Sequence, residues 1–451
     1  MVSAAVFAIA TGIGLLTDKY MLQATNFVED YTTSMRPSDS EKEFIKSAMY
    51  AGAILGMVTF GPISDVAGRR SCLIACSAIT FLGAALSTGA WSARALIAAR
   101  IVTGVGMGGE YPLASSHSAE SASDSGNGSR NVALLYLFGN GAGPVLCGLV
   151  TLLLDISPMP RRLVWRSTFG VGALLSLLGL VLRVVTTHDS PKLVEATKRG
   201  DGANRKALLA YWRPLLGTAL IWLLFDIVEY GLKQNDKAIF TDKNKGPQWV
   251  SILKVLLSRV LVIPSLAVAP WMLTKLASKR VQMIGFVGCC CANTIFSLFY
   301  AELRKQDVLF VGLYVVQLSF QSFPGVTTMA IPAQIYPSSV RGTAAAISAA
   351  CGKVGATIGS YYFTKLHDEG ELNEIFWVVA GNCLVALILT MVLTPLYNGA
   401  TLDAAERLAH EGKNAQAVAM LYGGTYRLDM SADEESEEFD NSSSSSRTSD
   451  E

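Results

Sequence analysis

The sequence predicts an all-α membrane protein: twelve transmembrane helices arranged as two six-helix bundles. Three observations carry this prediction. Of 451 residues, 51% are apolar and 16% charged, against roughly 25% charged in soluble domains. The apolar residues gather into twelve runs, each of about 20 residues or more, enough to cross about 30 Å of hydrocarbon. The runs divide six and six about one long basic link.

In order, the runs cover 2–27, 45–65, 71–91, 95–117, 131–154, 166–186, 214–233, 251–274, 281–300, 307–330, 342–364 and 374–396. None alternates with period two over a long distance, so a transmembrane β-barrel is excluded. In lipid the backbone must satisfy its own hydrogen bonds, which leaves helices. Forty glycines suit closely packed membrane helices. The first run lacks a basic start and continues on both sides of Asp18. It reads as a spanning helix, not a cleaved leader.

An even number of spans puts both termini on one side. Arg69 and Arg70 after span two, Lys192, Lys198, Arg199, Arg205, Lys206 and Arg213 in the link, and Lys275, Lys279 and Arg280 after span eight all fall on that side. The positive-inside rule makes it cytoplasmic. The other side also carries Arg161, Arg162, Lys237, Lys243 and Lys245, so the bias is incomplete. The plasma membrane is the default location. The expected organisation is an N-terminal bundle at 1–186, a cytoplasmic linker at 187–213, a C-terminal bundle at 214–396 and a cytoplasmic tail at 397–451. Within the tail, 401–412 suits a short surface helix. From about 431 the chain is acidic and serine-rich, a composition that cannot build a core. Those serines suit phosphorylation by a kinase, or the stretch is a passive solubilising tail.

Several chemistries are set aside. A formal net charge of +1 gives no basic field for nucleic acid. The eight cysteines and four histidines show no metal-ligand spacing. Cys289, Cys290 and Cys291 are consecutive, so on a helix they point in different directions and cannot share one ion. No nucleophile–base set suggests an enzyme, and no cofactor or metal is expected. Gly104, Gly106, Gly108 and Gly109 lack the preceding strand and following lysine of a nucleotide loop, so they read as packing glycines.

Ionisable residues inside hydrocarbon are costly and call for a reason. The deep ones are Asp18, Lys19, Glu110, Asp226, Glu229 and Lys353. Trp222, Asp226 and Tyr230 are spaced by four and share one helix face. They read either as a cavity wall or as part of a structural ion pair. Lys353 lies among small residues and needs a counter-charge. Asp226, a bound anion, or each in turn would serve. In the exchange reading, the anion takes the lysine while a proton neutralises the carboxylate. Glu110, beside Tyr111 and Pro112, is a further candidate proton carrier. LLTD at Leu15–Asp18 and LLFD at Leu223–Asp226 occupy matching places in spans one and seven. That echo fits a parallel repeat with the substrate between the halves.

The loop GPISDVAGRR resembles the major facilitator motif through Gly61, Asp65, Gly68, Arg69 and Arg70. The resemblance implies a conformational latch between helices. The matching link in the second half, LTKLASKR, keeps Lys279 and Arg280 but lacks the aspartate and both glycines. The segments GIGLLTDKY, GVGMGGEYPLA, WLLFDIVEYG, SKRVQMIGF and TTMAIPAQIYPSSVRGTAAAISAACGKVGA resemble the phosphate:proton symporters of fungi and plants. They spread over about residues 8 to 365 and exclude the acidic tail.

That resemblance implies proton-coupled symport of inorganic phosphate by alternating access. It implies substrate contacts at Tyr111, Asn140, Trp222, Asp226, Tyr230, Gly325 and Lys353. It also implies proton coupling at Asp18, Glu110 and Asp226. Four positions depart from the family pattern. Glu110 replaces an aspartate, Asn140 a glutamine, and Gly325 an asparagine, and Glu229 adds a carboxylate. Gly325 is expected to enlarge the pocket, and Glu229 to repel an anion if it faces inward and stays ionised. An organic phosphate, a carboxylate, a sugar or polyol on the same fold, and a nutrient sensor that binds without transport are the alternatives.

Overall fold

The computed structural model describes residues 4–28, 35, 38–120, 128–186, 205–240 and 248–423. Most of the expected linker, 187–204, and the serine-rich end lie outside the described residues. Twelve long helical segments follow one another. They are α1 (Ala4–Val28), α2 (Asp39–Ala67), α3 (Arg69–Gly89), α4 (Ala93–Glu120), α5 (Gly128–Ile156), α6 (Arg161–Thr186), α7 (Trp212–Phe240), α8 (Gln248–Lys275), α9 (Ser278–Leu298), α10 (Asp307–Ile335), α11 (Arg341–Asp368) and α12 (Leu372–Leu393). Two short helices, α13 (Gly399–His410) and α14 (Asn414–Leu421), close the described chain.

Among the described residues, nine of the twelve are long and apolar enough to cross a membrane on length and composition. The other three are α1, α4 and α11. They carry Asp18 and Lys19, Arg100 and Glu110, and Lys353, all buried inside the protein. In these three helices the charges that lower the hydropathy face inward. Large apolar side chains such as Leu82, Leu174, Leu257, Ile388 and Val392 lie exposed on the outside instead. That pattern suits lipid as the surrounding solvent.

Local chemistry sets the helix ends. Ser38 and Glu41 form a reciprocal capping box at the start of α2. Gly68 separates α2 from α3 with φ 89°, a conformation that a side chain would strain. Within α5, Leu137–Ala142 widens into a π-helical stretch that carries Asn140.

Helix pairings repeat between the halves. In the first, α1 packs on α5 and α6, α2 on α4, and α3 on α4 and α6; in the second, α7 packs on α11 and α12, α8 on α10, and α9 on α10 and α12. Across the halves, α2 meets α11 and α5 meets α8, which are again equivalent pairs. The expected surface helix is present as α13. With α14 it covers a second apolar cluster that includes Tyr211, Ile335, Tyr336 and Ala344.

Cys289, Cys290 and Cys291 are buried, intermediate and exposed in turn, so they point apart as expected.

Candidate functional site

Close packing of α7 on α11 sets the centre. A Cβ on Gly352 would stand 2.8 Å from Trp222 Nε1 and 3.0 Å from Asp226 Oδ2. Glycine at 352 therefore lets Trp222 and Asp226 lie directly against α11. One residue on, Lys353 Nζ donates to Asp226 Oδ2 at 2.8 Å. The same ammonium lies 4.1 Å from the Tyr230 ring centroid and 5.7 Å from that of Tyr111. Tyr111 comes from the first half, and its ring is 5.9 Å from Trp222. Tyr111, Trp222, Asp226, Tyr230 and Lys353 thus form one cluster at the junction of the halves, all buried. The ion pair that the sequence offered as one reading of Asp226 is present, with Lys353 as the partner.

Lys19, whose role the sequence left open, enters the same cluster. Its Nζ donates to the Tyr230 hydroxyl at 3.0 Å and lies 4.8 Å from the Tyr111 ring. Two ammonium groups therefore share two tyrosine rings, and one carboxylate, Asp226, is bonded to Lys353. Its position beside Asp18 was the available signal.

The remaining positions are redistributed. Asn140 is buried, but it faces a side chamber of about 30 Å³ lined in part by Tyr136, Glu229, Lys233, Arg259 and Ser322. Lys233 reaches Asn140 Oδ1 at 3.5 Å. The chamber is large enough for a water. Glu229 does not stand as a bare charge toward an anion: Lys233 pairs with it, and Gln321 donates to its other oxygen at 2.8 Å. Lys233 lies four residues after Glu229, a spacing the sequence already displayed.

Gly325 does not enlarge the pocket. The Tyr136 hydroxyl occupies the place where a Cβ would sit, with the Phe225 ring 3.1 Å from that point. The missing amide is replaced by a phenol from another helix. No sequence signal tied 136 to 325.

Glu110 turns away from its neighbour Tyr111. Arg183 donates to it at 2.5 Å and Ser77 at 3.1 Å, deep in the first half. Arg183, Arg259 and Asp236 are buried charges that span counting passed over. With one oxygen on Arg183 and the other on Ser77, Glu110 sits in an ion pair apart from the central cluster. Asp18 is different. It is buried, and neither carboxyl oxygen has a hydrogen-bond partner among the described residues.

The loop motif forms a bridge between the halves. Asp65 accepts from Arg69 at 2.7 Å, from the Gly342 and Thr343 amides at 3.0 and 2.8 Å, and from the Thr343 hydroxyl at 2.6 Å. Its carboxylate thus caps the N-terminus of α11, where the helix dipole favours negative charge. Ser64 accepts from Arg69 at 2.7 Å and donates to the Gly61 carbonyl at 2.7 Å. Arg70 follows on α3 and is exposed. Just beyond, Arg341 bonds Glu406 of α13 at 3.0 Å, and the Ser338 amide donates to Glu406 at 2.8 Å. Burial pushes the Glu406 carboxyl up. The Arg341 guanidinium and the His410 and Ser338 bonds outweigh burial and hold it at about 2.

The opposite side is closed as well. Asn26 of α1 donates to the Lys233 carbonyl at 2.9 Å and to Asp236 at 3.0 Å. Gln234 donates to the Tyr50 hydroxyl at 2.5 Å, and the Tyr50 ring lies 5.3 Å from Tyr230. Among the described residues the halves are therefore joined on both sides of the cluster, which is occluded. A polar cavity of about 380 Å³ opens on the latch side beside Arg130, Lys275, Gln334 and Arg341. None of the residues lining it belongs to the central cluster.

Comparison with known proteins adds three findings. The model of the sugar (and other) transporter family matches residues 7–210 and 236–409. Among relatives, the inorganic phosphate transporter PT2 of Toxoplasma gondii is 30% identical over 358 residues, which are 77% of this chain and 63% of that protein. The chain thus spans less than two thirds of that relative. Glycerophosphoinositol permease 1 of Candida albicans is 25% identical over 420 residues, 87% of this chain and 78% of that one. The proton:xylose symporter XylE bound to 6-bromo-6-deoxy-D-glucose superposes with a TM-score of 0.75 at 16% identity, covering 89% of this chain and 98% of its own. The human organic anion transporter MFSD10 gives 0.66 at 14% identity, covering 86% and 100%. At such identities the likeness shows the fold.

Proposed function

From the premise that this chain belongs to the sugar (and other) transporter family, we propose that it carries inorganic phosphate together with protons. The protein has the major facilitator fold, and it is a solute transporter working by alternating access, not an enzyme.

The observation that carries the phosphate reading is the Lys353–Asp226 pair, buried against Tyr111, Trp222 and Tyr230 where the halves meet. A buried pair is stable while both partners are present and costly once either is removed. An arriving phosphate takes over Lys353, and a proton moves to Asp226. Neither charge is then left bare in hydrocarbon. Asp18, with no hydrogen-bond donor among the described residues, is the second proton carrier. Asn140 and Gly325 contribute through the Lys233 and Tyr136 groups beside them.

The named relatives support a phosphate-bearing solute. One is called a phosphate transporter and another a glycerophosphoinositol permease. Free phosphate is favoured over a bulky ester because the Tyr136 hydroxyl fills the space at Gly325.

The moving units are 1–186 and 214–396, joined by the link at 187–213. Opening requires Asp65 to leave the α11 terminus on one side, or Asn26 to leave Asp236 on the other. The latch side, with Arg69, Arg70, Lys275, Lys279 and Arg280, faces the cytoplasm with both termini, and the membrane is the plasma membrane. The serine-rich end is a kinase target.

The test is uptake of labelled phosphate into vesicles containing the purified protein, with and without an inward proton gradient. Gradient-stimulated uptake supports the reading. Binding without flux replaces it with a sensor, and uptake of sugar but not phosphate replaces the substrate.

A further inference from the structure

We propose that Lys19 is a second substrate cation, and that with Lys353 it fits the site to a doubly charged tetrahedral oxyanion in preference to a singly charged one. This rests on reading the centre as an anion site.

The buried cations of this protein divide sharply. Arg69, Arg183, Arg259, Arg341 and Lys353 each hold a carboxylate, as does the half-buried Lys233. Arg100 donates to the Met21 carbonyl at 2.9 Å. Lys19 has neither, although only 7% of it is exposed. Of its three N–H groups, one meets a hydrogen-bond acceptor among the described residues, the Tyr230 hydroxyl. The side chain is also fixed in place: a Cβ on Gly143 of α5 would stand 2.9 Å from Lys19 Cβ, so α5 lies directly on the stem. An ammonium held in a sealed polar cluster with unused donors is arranged for an acceptor that comes and goes.

Charge bookkeeping then sets the valence of that acceptor. Lys19, Lys353 and Asp226 sum to +1. When a proton neutralises Asp226 as Lys353 is released, the sum becomes +2. A dianion balances it. A monoanion would leave one buried ammonium uncompensated, which hydrocarbon-depth burial penalises. Of the other carboxylates nearby, Glu229 is already matched by Lys233, and Asp18 holds the second proton and adds no charge. Lys19 and Lys353 also approach from different halves, on α1 and α11. A dianion bonded to both therefore ties the halves together in the occluded state.

The discriminating probes are monofluorophosphate, a dianion, and difluorophosphate, a monoanion of nearly the same size and shape. Each would be titrated by thermal protection of the purified full-length transporter, with inorganic phosphate and sulfate as references. The wild type should prefer monofluorophosphate by roughly tenfold or more. Lys19→Gln should reduce that preference to within about threefold, and Lys19→Arg should restore it. A wild type without preference, or a Lys19→Gln protein that keeps it, overturns the inference while leaving the anion site standing. Should Lys19→Gln not fold, the wild-type ratio decides. If none of the four anions protects the wild type, the anion-site reading itself falls, and this inference with it.

Discussion

The hydroxyl of Tyr136, on α5, fills the space that a side chain at Gly325, on α10, would take. The two positions lie in different halves of the protein and form one unit. Gly325→Asn should therefore do harm where bare sequence comparison suggests repair. We expect it to lower stability by about 1–3 kcal/mol through overpacking. Adding Tyr136→Ala should recover part of that loss, a coupling that a double-mutant cycle of melting temperatures in detergent would measure. Additive effects would mean that the two side chains do not compete for the space.

Glu110 and Asp18 should separate stability from coupling. Glu110→Gln strands Arg183 in the interior, at a cost of about 3–5 kcal/mol, read as a lower melting temperature. Asp18→Asn removes no hydrogen bond among the described residues. It should melt near the wild type yet lose gradient-stimulated uptake. Reversed results would return Glu110 to the proton path.

The Asp65 bridge should control which side opens. Asp65→Asn removes the Asp65–Arg69 salt bridge and weakens the cap on α11. Spin labels near the latch-side ends of α2 and α11 should report a longer and broader distance in that variant. Thr343→Val should give a smaller change in the same direction, since it removes one of the bonds to Asp65. An unchanged distance in both variants would show that the bridge does not hold the halves.

The Glu406 contact has a predictable pH window. Its folded carboxyl is held at about 2, below the ordinary glutamate value of about 4.3. The contact therefore contributes full stability above the ordinary value and loses it as pH falls toward 2. Proteolysis of the α13–α14 segment should stay slow at pH 5 and speed up near pH 3. Glu406→Gln should make cleavage fast already at neutral pH.

Much of this architecture was legible in the chain because membrane burial imposes a coarse, repetitive code. Run length located the twelve helices, and the LLTD and LLFD echo pointed to a repeat that the paired packing of α1–α5 and α7–α11 displays. The face spacing of Trp222, Asp226 and Tyr230 was readable for the same reason. Contacts between distant helices were not. Nothing local ties Arg183 to Glu110 or Tyr136 to Gly325, since each pair is set by three-dimensional packing across at least 70 residues of sequence. Lys19 was visible as a charge, but that it meets neither a carboxylate nor a backbone carbonyl among the described residues emerges only from the packed helices.

The account turns on Asp226 giving up Lys353 to an anion while it takes a proton. Reconstituted Asp226→Asn protein tests this most directly, by comparing phosphate accumulation driven by a proton gradient with phosphate exchange at equal pH. The account predicts that accumulation is lost while exchange persists. Accumulation at the wild-type level would contradict it.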